Sequence, residues 1–201
     1  IVGAIGVILL SFGPTPFARP GDPVRAQTTP EGLSLAPAAL AEAKPDAFHV
    51  VHVVRGTGGT ATALRFAVKP GGTQAGDAGP TDGVQIALAA ETAAALSDKP
   101  VSATLTISPI EGASARAIAV RLVGAAPTPW AIAEIPLPQT PQTTTPTTLS
   151  PESVIEESSV RTITFALPPT ASVKALSLRA LADPGGLNFG VEVSAISFRP
   201  S

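Results

Sequence analysis

Two histidines, His49 and His52, are the residues whose type and spacing first suggest metal binding or acid–base chemistry. They lie in residues 48–54, a run rich in valine, which favours a β-strand over a helix. Side chains three residues apart on a strand point to opposite faces, so the two imidazoles cannot bind one metal ion. The sequence therefore predicts no metal site here, with one histidine exposed to solvent and the other packed at a sheet edge.

A glycine-rich loop, residues 55–61 (RGTGGTA), follows the histidines. A strand that runs into glycines resembles the start of a dinucleotide-binding βαβ unit. That unit needs a helix directly after the glycines, because the N-terminus of the helix receives the pyrophosphate. Here the next residues alternate as a strand and reach Pro70 without room for a helix. The loop therefore predicts a hairpin turn and no nucleotide cofactor.

The other polar residues show no catalytic pattern. The chain has no cysteine, which excludes disulfides and thiolate metal sites, and no Gly-x-Ser-x-Gly motif. Asp77 and Asp82 flank a Gly/Pro loop at a spacing that fits no calcium loop. Glu156 and Glu157 are adjacent, and we expect them to solvate the entry to a strand. We therefore predict that the chain is not an enzyme and holds no cofactor or metal.

Trp130 is the only tryptophan, and the chain has no tyrosine. It lies between Pro127, Pro129 and the apolar residues 131–133, a context that suits a core or sheet-edge position. The alternative is that its ring contacts a ligand or a partner, and it is the one possible contact residue that the sequence offers. Sugar-binding surfaces use exposed flat aromatic rings, and a single tryptophan supplies few of them.

The formal net charge is −2, and the thirteen lysines and arginines are scattered along the chain. A nucleic-acid surface requires clustered basic residues that neutralise phosphates. The sequence therefore predicts no nucleic-acid partner.

Residues 1–13 (IVGAIGVILLSFG) form an apolar run without charge. A full membrane span needs about 20 apolar residues, so this run suits either part of a transmembrane helix or the apolar part of a signal peptide cleaved after Ala26. We favour a retained hydrophobic anchor. Residues 14–46 are rich in proline and alanine and predict a tether or surface arm, with a short helix at 38–43.

From Phe48 onward, short segments alternate apolar and polar residues with a period of two, which is typical of half-buried antiparallel strands. We expect an all-β, antiparallel, jelly-roll-like β-sandwich over residues 47–201, with one helix at 91–97 and a bulge near Ser194. The strand spacing is similar to that of jelly-roll carbohydrate-binding modules, although no motif of that family is present. The predicted core comprises Leu64, Phe66, Ile86, Leu105, Ile107, Val120, Phe165, Leu178 and Val191.

Two longer-range features complete the organisation. Residues 136–151 are a Pro/Thr-rich low-complexity segment, which we interpret as a long loop within one domain because too few strands follow it to close a sandwich. Residues 104–121 and 162–179 match at six identical positions without a gap, and both end in an arginine. The match predicts two equivalent hairpins, each ending in an exposed arginine.

These features predict a non-catalytic, membrane-anchored accessory or scaffold subunit, with its sandwich on the extracytoplasmic side. The expected partner is an integral membrane protein complex or an envelope assembly, because low-complexity segments become ordered when a partner surface holds them. The alternative is an extracytoplasmic module that binds carbohydrate or peptide, with a glycan as its partner.

Overall fold

The alternating segments form two antiparallel sheets in the computed structural model, which describes residues 22–69, 82–110, 114–135, 160–181 and 189–201. The seven-stranded sheet contains β1 (Gln27–Thr29), β2 (Gly32–Leu35), β4 (His49–Arg55), β5 (Ala61–Val68), β7 (Val101–Pro109), β10 (Arg161–Leu167) and β12 (Phe189–Pro200). The five-stranded sheet contains β3 (Lys44–Pro45), β6 (Val84–Ala87), β8 (Ala117–Val123), β9 (Ala131–Glu134) and β11 (Ala175–Leu181). Two short helices, α1 (Pro37–Leu40) and α2 (Ala90–Leu96), accompany them.

The twelve-residue strand β12 is the centre of the larger sheet. One edge of β12 pairs with β7, which in turn pairs with β10. The other edge pairs with β5 near its start and with β2 near its end. The register shifts between Val193 and Ala195, where a bulge was expected. The bulge lets Val193 and Ile196 share the inner face, because one extra residue reverses the alternation.

Among the described residues, buried apolar side chains of both sheets form one cluster. All nine residues predicted for the core are buried, which confirms the inward parity of each strand. The β-sandwich prediction is therefore confirmed, and the helix expected at 91–97 is α2. In the smaller sheet the order is β3-β6-β11-β8-β9, so β11 lies at its centre.

The tether predicted for residues 14–46 is wrong where β1, β2 and β3 form, whereas the short helix predicted at 38–43 overlaps α1. β1 and β2 form a hairpin on the edge of β12, and β3 pairs with β6. Leu35 and Leu40 are completely buried in the common core. Strands of two to four residues have too little periodicity to be recognised in a proline-rich sequence. Residues 14–21 lie outside the described residues.

The repeat also has a different structure from the predicted hairpins. β7 and β8 lie in different sheets, as do β10 and β11. Each repeat therefore crosses from the larger sheet to the smaller one, and the two copies pair with each other, β7 with β10 and β8 with β11. The terminal arginines, Arg121 and Arg179, are not exposed as predicted: Arg179 is 4% exposed and Arg121 is half-buried.

The strands on either side of residues 136–151 share both sheets, because β10 and β11 pair with β7 and β8. The Pro/Thr segment itself lies outside the described residues, as does the predicted anchor at residues 1–13. Among the helices that the structure describes, none is long and apolar enough to cross a membrane.

Candidate functional site

The outer face of the five-stranded sheet brings polar side chains from four parts of the chain together. Arg121 on β8, Ser177 on β11 and Gln85 on β6 stand abreast in the register of the sheet. Their neighbours along each strand point into the core, so these three side chains point away from it. Trp130 directly precedes β9, and the pairing of β9 with β8 places Trp130 beside Arg121.

The ring of Trp130 is stacked against a cation. The guanidinium carbon of Arg121 lies 4.3 Å from the ring centroid, within the range of a cation–π interaction. At its far end the ring reaches Gly83, where a Cβ atom would stand 3.3 Å from Cη2 of Trp130. The ring is half-buried, so part of it faces solvent. Trp130 therefore lies on the sheet surface and not in the core.

Asp82 is the third member of the cluster and is bonded to Arg121. Its Oδ1 accepts a hydrogen bond from Nη2 of Arg121 at 3.1 Å, and its main-chain carbonyl accepts one from the hydroxyl of Ser177. The Arg121 side chain is 17% exposed and that of Asp82 is 64% exposed. Nε of Arg121 is buried without a hydrogen-bond partner among the described residues. We call Trp130, Arg121 and Asp82 the Trp130 cluster.

Asp46 is hydrogen-bonded to Gly83, the residue that follows Asp82. Oδ2 of Asp46 accepts a hydrogen bond from the Gly83 amide at 2.8 Å, and the Asp46 amide donates to the Gly83 carbonyl at 3.0 Å. The second carboxylate oxygen accepts from the Phe48 amide at 2.8 Å and bonds Nδ1 of His49 at 2.7 Å. Asp46 thus links the start of β4 to Gly83, which adjoins Asp82 and the ring of Trp130.

The same contacts determine the ionisation of Asp46. Burial is the largest influence and raises the pKa of this carboxyl group. The hydrogen bond with His49 and the bonds from the Gly83 and Phe48 amides favour the carboxylate and together outweigh burial. The pKa of Asp46 therefore lies below its ordinary value.

The two histidines lie on opposite faces, as their spacing predicts. His49 is completely buried at the start of the edge strand β4, and His52 is exposed. Nε2 of His49 has no hydrogen-bond partner in the described part of the chain. The glycine-rich loop is a hairpin turn between β4 and β5, closed by a hydrogen bond from the Gly56 amide to the Thr60 carbonyl at 2.9 Å.

The sequence singled out Trp130 but missed its partners. Arg121 attracted notice only as the last residue of a repeat, and Asp82 only as an acid of a loop. Their positions in the sequence and the local periodicity do not indicate that Arg121 and Asp82 lie beside Trp130. The pairing between β8, β9 and β11 brings these residues together. Asp77, Glu156 and Glu157 lie outside the described residues. Within the described ranges, no three His, Cys, Asp or Glu side chains are grouped as metal ligands.

Comparison with solved structures finds several similar chains, among them two that were solved with a bound sugar. CsCBM6-3 from Clostridium stercorarium, solved with cellobiose, is 14% identical, with a TM-score of 0.35 over 84% of this chain and 86% of its own. The carbohydrate-binding module CBM6cm-2 of Cellvibrio mixtus lichenase 5A, solved with cellotriose, is 12% identical, with a TM-score of 0.36 over 77% and 88%. No protein-family model and no curated protein matches the sequence significantly.

Proposed function

We propose that this chain is a non-catalytic carbohydrate-binding domain whose contact surface is the Trp130 cluster. The observation that carries the proposal is the stacking of Arg121 on the half-buried ring of Trp130, with the carboxylate of Asp82 beside it. Binding sites for small molecules combine aromatic surface with a few fixed polar groups. A sugar ring needs this combination, because it offers a face of C–H groups and a rim of hydroxyl groups.

The polar groups of the cluster match a hydroxylated ligand. Arg121 donates in a fixed planar geometry, and Asp82 accepts, so together they can hold neighbouring hydroxyl groups. The ion pair between them and the stacking on Trp130 orient both side chains before the ligand arrives. Such pre-organisation reduces the entropy lost on binding.

A glycan fits this surface better than a peptide does. Extended peptides commonly bind by adding a strand to a sheet edge, where main-chain groups are unpaired. The Trp130 cluster lies on the face of the sheet, where the main chain of β8 and β11 is already paired. The accessory-subunit interpretation relied on residues 1–46 and 136–151. Of these, residues 27–29, 32–35 and 44–45 are strands of the two sheets, and residues 1–21 and 136–151 lie outside the described residues.

The test uses the intrinsic fluorescence of the protein, because Trp130 is its only tryptophan. The full chain is titrated with soluble oligosaccharides of cellulose, xylan and polygalacturonate, and Trp130 emission is recorded. We expect at least one series to change the emission saturably. Calorimetry then measures the affinity of Trp130→Ala, which should be weaker by on the order of 30-fold, as for a buried aromatic contact.

The chain offers a matched control for the polar contacts. Arg65 and Glu192 form an ion pair of 2.8 Å on the outer face of the other sheet. Arg121→Lys, which loses the planar donor geometry, should weaken sugar binding, whereas Arg65→Lys should not. The proposal is wrong if no oligosaccharide binds, or if one binds equally well to wild type and to Trp130→Ala.

We further propose that the domain is displayed outside the cytoplasm on the apolar segment 1–13. The apolar composition of that segment supports this location. Expression of the chain with a C-terminal tag, followed by membrane fractionation and protease treatment of intact cells, tests it. Recovery in the cytoplasmic fraction would contradict the proposal without affecting the assignment of the sugar site.

A further inference from the structure

A cleft of about 350 Å³ opens at one end of the sandwich, away from the Trp130 cluster. The β1–β2 hairpin, the C-terminal end of α2, the start of β7 and the end of β12 form its walls. Its volume lies at the lower end of the range of about 300–1,000 Å³ that small-molecule sites occupy. None of the three residues of the Trp130 cluster lines it.

The hairpin that forms one wall is fixed in place. Gly32 has φ = 135°, and a side chain there would overlap the carbonyl oxygen of Phe198. The absence of a side chain lets the hairpin approach β12 closely, and Thr29 closes the turn with a hydrogen bond of 3.1 Å to the Gly32 carbonyl. Pro30 and Pro200 stiffen the two sides of the opening. The cleft is therefore preformed.

The inside of the cleft is apolar, and its rim is charged. Leu96, Val101 and Phe198 form its floor, and each is buried. On the rim, Arg199 is paired with Glu31. Lys99 also lines the cleft and forms no ion pair with any described residue. The three rim charges leave one net positive charge above an apolar floor.

We propose that this cleft binds small carboxylates that carry a short unbranched alkyl chain. The alkyl chain would occupy the apolar floor, and the carboxylate would pair with the ammonium group of Lys99. An uncharged or cationic ligand of the same length lacks this pairing. The proposal is independent of sugar binding, because the two sites lie in different parts of the fold.

The experiment follows the backbone amides of the full chain by two-dimensional NMR during titration with hexanoate. We expect saturable shifts confined to the cleft, at Thr28, Gly32, Leu96 and Lys99. Acetate, butanoate and hexanoate should bind in order of increasing affinity, by at most about fourfold for each CH₂ group. Hexanamide should bind more weakly than hexanoate, and hexylammonium should bind most weakly.

Two variants and one control test the residues involved. Lys99→Gln should weaken hexanoate binding by about two- to fivefold, the effect of a solvent-screened ion pair. Ala95→Leu fills the cleft from its helical wall while keeping a good helix former, and should abolish the shifts. Lys69→Gln is the matched control, because Lys69 bonds the Ala47 carbonyl and does not line the cleft.

The proposal is overturned by any of three results. These are the absence of saturable shifts at the cleft with hexanoate, equal binding of hexanoate and hexanamide, and unchanged binding to Ala95→Leu while its thermal unfolding matches wild type. Loss of hexanoate binding in Ala95→Leu together with unchanged sugar binding by that variant would support two separate sites.

Discussion

Replacing Asp46 by asparagine tests whether its carboxylate holds the sandwich together. The carboxylate accepts hydrogen bonds from the Phe48 and Gly83 amides and bonds Nδ1 of His49, and its side chain is only 14% exposed. Asparagine has the same shape but only one acceptor oxygen. Whichever way the amide is turned, its NH₂ group faces the N–H of either Phe48 or Gly83. One of these two amides therefore loses its acceptor, and the remaining bonds lose their charged partner.

The magnitude follows from that lost acceptor. A hydrogen bond to a charged group contributes about 1.5–3 kcal/mol, so we expect Asp46→Asn to lower the free energy of unfolding by about 2 kcal/mol. For a chain of this length, 2 kcal/mol lowers the melting temperature by about 4–8 °C. Asp98 supplies the control, because it is exposed and its φ of 61° is one that asparagine also adopts. Asp98→Asn should change stability by less than about 0.5 kcal/mol.

The pH dependence of Asp46→Asn gives a second measurement. The pKa of Asp46 in the folded chain lies below its ordinary value of 3.8. A depressed folded pKa stabilises the protein above the unfolded value and loses that effect as pH falls through the folded value. The stability difference between wild type and Asp46→Asn should therefore be full at neutral pH and should shrink below about pH 3.8.

Denaturant unfolding of wild type, Asp46→Asn and Asp98→Asn at neutral and acidic pH measures these differences. If Asp46→Asn unfolds at the same denaturant concentration as wild type, the carboxylate does not contribute to stability. A difference of equal size at both pH values would show that ionisation of Asp46 is not its source.

Two further predictions concern the stability of the fold. Gly83→Ala should destabilise the chain and shift Trp130 emission, because φ is +73° and the new methyl would overlap the Leu178 carbonyl. Unchanged melting and emission would contradict this contact. Residues 46–135 alone should show no cooperative thermal unfolding by circular dichroism, because they lack β11 and β12, the central strands of both sheets. Cooperative melting of that fragment near the midpoint of the full chain would show that residues 46–135 form a domain of their own.

The amino-acid sequence by itself determined the longer strands and their inward faces. Period-two alternation is a local property, so it predicted the buried sides of Leu64 and Phe66 on β5 and of Leu105 and Ile107 on β7. The change of parity in the last strand predicted the bulge before Ala195. Parity also separated the two histidines, because residues three apart on a strand face opposite ways.

The tertiary structure alone decided which strands became neighbours, and therefore which residues form the candidate site. Pairing partners are chosen by contacts between residues far apart in the chain, which no local pattern records. The repeat showed two similar halves but not that each crosses between sheets. The hairpin at residues 27–35 was hidden because its strands gain their stability from β12 and not from their own composition. Long-range pairing also places Arg121 and Asp82 beside Trp130. β9 pairs with β8, and residue 82 is hydrogen-bonded to Arg121 on β8 and to Ser177 on β11.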